Sequence, residues 1–76
     1  MKRTIRDAGL TTWEVFATTA DGGVPTPARI VFHSLGGGRP AVAQEIDGDV
    51  SDAEALVAAE TDAELTARLA EAVPLR

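Results

Sequence analysis

The chain has no cysteine and no tyrosine, and it carries one histidine, one tryptophan and two phenylalanines in 76 residues. Without cysteine there are no disulfide staples, no thiolate metal sites and no thiol chemistry. No run of about 18 apolar residues exists, so no membrane span is expected. Met1-Lys2-Arg3 has the charge of a signal-peptide start, but Thr4, Arg6 and Asp7 interrupt the apolar stretch such a signal needs. No secretion signal is therefore expected, and the expected location is the cytoplasm. Basic residues are also scarce, seven against twelve acids for a net charge of −5. Direct nucleic-acid binding needs a basic footprint and is not expected.

What is present is apolar but small. Hydrophobic residues make up 45% of the chain, too many for disorder throughout. Fourteen of them are alanine, and apart from Met1 only nineteen large apolar side chains remain to build a core. A single small domain over residues 1–76 follows, burying roughly 60% of its unfolded surface. Its stability without staples is about a few kcal/mol. Oligomerisation or a permanent partner is expected to complete it. Usage of Ala, Arg, Asp and Gly points to a GC-rich coding sequence of a small bacterial protein.

Charge divides along the chain. Residues 1–40 sum to +2 and residues 41–76 to −7. The acidic half reads first as a solvated helical face that keeps a small protein soluble. A second reading is a surface that meets a basic partner.

The patterning separates a strand-rich part, 1–50, from a helical part, 51–76. Strands are expected at 3–7, 11–19, 28–35 and 41–47, joined by turns at 8–10 and 36–40 and by a loop at 20–27 whose two glycines and two prolines exclude a central strand. Short connections imply an antiparallel meander. Ser51-Asp52-Ala53-Glu54 and Thr61-Asp62-Ala63-Glu64 both have capping-box form, predicting helices over 52–59 and 62–73, with one continuous helix as the alternative and Pro74 as the stop. Leu65, Leu69, Ala72 and Val73 make one helical face, and Glu64 and Arg68 an ion pair beside it. The expected fold is α+β: a three- to four-stranded antiparallel meander followed by one or two C-terminal helices packed on one sheet face.

Both long strands are apolar on both sides. Trp13, Val15 and Ala17 alternate with Glu14, Phe16 and Thr18, and Ile30 and Phe32 with Val31, His33 and Leu35. Two short helices cover one face only. Phe16, Val31, His33 and Leu35 are therefore the candidate interface residues, because a sizeable uncovered apolar patch marks an interaction site. Coverage by the 20–27 loop or the N-terminus is the bland alternative. Trp13 is expected in the core, its indole N–H on a carbonyl or water, and as a hot spot only if exposed.

Chemistry-bearing motifs are weak. His33 has no second histidine or cysteine to complete a metal site, and Ser34 points to the opposite face, so a half-buried strand residue is expected. Gly36-Gly37-Gly38 lacks the P-loop pattern and reads as a hairpin connection. Asp47-Gly48-Asp49 begins like a calcium loop, but Asp52 stands where glycine is needed and Ala58 where glutamate should close the loop. No catalytic, cofactor-binding or metal residue is assigned, and no cofactor is expected.

The leading expectation is a non-enzymatic protein-interaction module, an accessory or regulatory subunit of a larger assembly or a homo-oligomer. The alternatives are an acidic inhibitor or nucleic-acid mimic that binds a basic cleft, and a small ligand-binding protein or enzyme using His33, Arg29 or Glu45.

Overall fold

A computed structural model of the chain describes residues 2–7, 9–19, 28–36 and 38–74. Five strands and two helices follow in the order β1 (Lys2–Arg6), β2 (Thr12–Thr19), β3 (Ala28–Ser34), β4 (Val42–Glu45), α1 (Val50–Ala59), α2 (Asp62–Glu71) and β5 (Val73–Pro74). The sheet order is β1-β2-β3-β4-β5 with every pair antiparallel. The expected α+β meander with C-terminal helices on the sheet is what the chain forms. The loop expected at 20–27 lies outside the described residues.

Strand alternation sends one set of side chains under the helices. Ile5, Trp13, Val15, Ala28, Ile30, Phe32 and Ile46 from the sheet meet Ala53, Val57 and Leu65 from the helices in one core. Leu56, Leu69 and Ala72 pack against its margin. Both helices lie on this side, because their buried residues belong to the same cluster as the inward strand row.

The β1–β2 turn is organised by Asp7. Its backbone carbonyl accepts from Leu10 N at 3.0 Å, and its carboxylate accepts from Thr11 N at 3.0 Å and from the Trp13 indole at 2.9 Å. The indole partner is thus a carboxylate rather than the carbonyl or water expected. The geometry requires a left-handed residue, and Leu10 supplies it at φ 65°.

The first helix starts two residues earlier than its sequence suggests. Its N-cap is Asp49, and a reciprocal capping box joins Asp49 to Asp52, not Ser51 to Glu54. Gly48 explains the register. It sits at φ 114°, and an added Cβ would collide with the Asp52 carboxylate that caps the helix. Gly48 O also accepts from Ala28 N, which anchors the turn to the start of β3. The second capping box is Thr61–Glu64, as the spacing predicts. Two separate helices result, since Glu60 leaves the helical region at ψ 146°.

Two arginines bind the layers together. Arg3 of β1 donates to the carbonyls of Val57, at 3.0 Å, and Glu60, where α1 ends, and pairs with Asp62, where α2 begins, at 2.5 Å. A cation at a helix C-terminus and an anion at a helix N-terminus both match the backbone dipoles. Arg68 makes a two-pronged pair with Glu60 at 2.6 and 2.7 Å and donates to Gln44 Oε1 at 2.9 Å. The expected Glu64–Arg68 pair gives way to this longer-range contact, because Glu64 is committed to capping Thr61.

Helix α2 ends at Glu71, earlier than the expected 73. Ala72 turns extended at ψ 152°, and Val73 and Pro74 then pair with Ala43 and Val42. Val73 therefore belongs to the sheet, not to the apolar face of α2. A proline is tolerated there because β5 is an edge strand.

Candidate interaction face

The sheet side away from the helices is built by the residues opposite in parity to the core. Cross-strand register arranges them in rows. The central row is Lys2–Phe16–Val31–Ala43–Val73, one residue from each of the five strands. On one side of it runs Thr4–Glu14–His33, and on the other Thr18–Arg29–Glu45. An end row follows Arg6–Thr12, extended by Leu35, whose N–H donates to Thr12 O at 2.9 Å.

All four sequence-derived interface residues fall on this face, and Phe16 and Val31 are direct partners. Their exposure differs. Val31 is only 4% exposed and Phe16 half-buried, whereas Leu35 is 43% exposed. His33 is exposed rather than half-buried as expected, since no helix covers its row. Two members were missed. Ala43 and Val73 continue the apolar row, Ala43 buried at 6% and Val73 64% exposed. The available signal was Pro74: with the helix ended before it, residues 73–74 were free to add to the edge of 41–43.

Charge separates with the layers. The β4–α1 turn and the two helices hold eight acids, offset by Arg68 and by Arg3 reaching across from β1, a net of −6. The open face holds Lys2, Arg6 and Arg29 against Glu14 and Glu45, a net of +1. Lys2 and Glu14 stand 3.8 Å apart on it. Many of the acids do structural work. Asp49, Asp52 and Glu64 serve the capping boxes, Asp62 holds Arg3, and Glu60 holds Arg68.

Among the described residues, three groups titrate away from their ordinary values. The indole N–H of Trp13, then the backbone N–H of Thr11, hold the Asp7 carboxyl below the usual aspartate range. The backbone and hydroxyl of Thr61 lower Glu64 in the same way. Hydrogen bonding to Glu60 raises Arg68. Each shift follows from a bond that supports the fold.

Around the β4–β5 edge lies an open groove of about 440 Å³, lined by Arg29, Glu45 and Glu71 with Gln44, Ala43 and Val73 among its walls. Gln44 is already engaged by Arg68 and Glu71. His33 is not part of it. Among the described residues no three His, Asp or Glu side chains gather as metal ligands, and no helix is long and apolar enough to cross a membrane.

Comparison of the chain with protein-family models, with curated proteins and with solved structures gives no match in any of the three.

Proposed function

We propose that this protein is a non-enzymatic interaction module, an accessory subunit that docks on a larger cytoplasmic protein through the helix-free face of its sheet. The observation that carries the reading is the row Phe16–Val31–Ala43–Val73 on the sheet side away from both helices, in which Phe16 is half-buried and Val73 64% exposed while Val31 and Ala43 are buried. A half-solvated antiparallel sheet normally turns polar residues outward. The flanking rows bear both signs of charge, which suits a polar rim round an apolar centre. Two copies at −5 each repel, so a different protein is the better occupant than a second copy.

The mimic reading has less support, since five of the acids it would present are engaged in caps and ion pairs. The ligand-binding reading keeps Arg29 and Glu45, which line the β4–β5 groove, whereas His33 stands on the surface apart from it.

Sedimentation equilibrium of the protein with and without material co-purified from its source tests the proposal. A stoichiometric hetero-complex that shields Phe16 and Val73 from surface labelling is expected. A complex that leaves both labelled, a homodimer, or a monomer without partner overturns it.

A further inference from the structure

The end of the sheet beside the open face concentrates three unusual features. Leu10 is 75% exposed and is held at φ 65°, a left-handed conformation that favours glycine. Three-residue hairpin loops ordinarily place glycine at this position. The neighbouring chain fixes Leu10 rigidly: Leu10 N donates to Asp7 O, and the Asp7 carboxylate holds Thr11 and Trp13. A large apolar side chain is therefore kept in a strained backbone and turned to water, with no return inside the monomer.

The second feature is Leu35. It pairs with Thr12, two residues after Leu10, so both leucines stand at the same end of the meander. They are two of the three large hydrophobic residues that are strongly exposed among the described residues. The third is charge. Arg6, the cross-strand partner of Thr12, and Arg39 of the β3–β4 turn are both exposed at this end. The acid at this end, Asp7, accepts from Trp13 and Thr11 and also feels the charge of Arg39.

We infer that Leu10, Leu35, Arg6 and Arg39 form a preorganised anchor for an acidic, amphipathic segment of a partner protein. The inference rests on the docking-module reading and gives it a partner chemistry. Two leucines supply the apolar contact and two exposed guanidiniums, Arg39 already facing the charge of Asp7, the complement to carboxylates, which they bind in forked geometry. A protein segment is favoured over an anionic membrane because membrane recruitment draws on clusters of about 4–8 basic residues, and this end has two. Backbone strain retained at an exposed residue is a mark of function. Rigidity also lowers the ordering cost of binding.

The test is a methyl-resolved NMR titration of the full chain with three probes: a synthetic Glu/Leu amphipathic helical peptide, its Lys-for-Glu counterpart, and phosphatidylglycerol vesicles. The acidic peptide alone is expected to shift the Leu10 and Leu35 methyls saturably. Leu10→Gly is expected to weaken that binding at least about tenfold while raising Tm by roughly 4–8 °C, since relieved strain stabilises a domain of this size. The Arg6→Glu/Arg39→Glu double variant is expected to abolish it. No saturable shift, equal shifts by the Lys peptide, shifts by the vesicles, or unchanged affinity in Leu10→Gly each overturn the anchor. Shifts at the Val31 and Val73 methyls that spare both leucines also overturn it, and leave the docking face standing.

Discussion

At the scale of single residues, the deciding contacts are short-range in space and hidden in sequence. Strand parity was legible, because a period of two assigns Trp13, Val15, Ile30 and Phe32 to one side without knowledge of the partner strands. The Trp13–Asp7 bond was not, because it depends on the exact hairpin that brings residue 7 beside residue 13. This bond makes a pH prediction. A carboxyl whose folded pKa is lowered contributes stability that is present above its unfolded value and is lost as pH falls through the folded value. Asp7 and Glu64 both act in this direction. Arg68, shifted upward, contributes unchanged throughout the acid and neutral range. Stability is therefore expected to be flat near neutrality and to fall below the ordinary carboxylate range. Trp13 fluorescence, a single-site probe in this chain, should report the protonation of Asp7 before global unfolding, and in Asp7→Asn that step should vanish.

At the scale of elements, the helices are set by their caps and by two arginines. Ser51–Glu54 has the sequence form of a capping box and Asp49–Asp52 does not, so the sequence alone points to the later start. The choice falls to Gly48, whose positive φ and tie to Ala28 deliver the chain into helix at Val50. Asp49→Ala should cost about 1 kcal/mol in chemical denaturation, whereas Ser51→Ala should change stability by less than about 0.5 kcal/mol. Equal losses would return the cap to Ser51. The Arg68–Glu60–Gln44 cluster was illegible for a different reason: the nearer partner, Glu64, is withdrawn by its own cap. Arg68→Lys keeps the charge but loses the fork and the amide contact. A loss of about 1 kcal/mol is expected, with faster amide exchange over the 60–62 junction. Strand β5 was missed because a two-residue strand has no period, and only the edge of β4 gives it a place.

At the scale of the whole molecule, the two layers differ in both apolarity and sign. The acidic charge sits on the helices and the turn before them, and the sheet's open face is nearly neutral, crossed by an apolar row. The shortage of large apolar side chains, visible from composition, has its counterpart here: the core takes one side of the sheet, and in the proposed reading the other side meets a partner. The candidate interface was legible as a face because two-sided apolar strands show it directly. Its extent was not, since Ala43 and Val73 join the row only through long-range pairing. The most direct measurement is calorimetric binding of the recovered partner to the wild type, to Phe16→Glu and to Ala58→Glu, each checked for folding by circular dichroism. Phe16→Glu places its carboxylate opposite Lys2 in the ladder, which favours retention of the fold. Ala58 is exposed on α1 and serves as the helical-layer control. The expected result is at least about tenfold weaker binding for Phe16→Glu and unchanged binding for Ala58→Glu. Binding that survives Phe16→Glu but is lost in Ala58→Glu would contradict the assignment of the open sheet face as the docking surface.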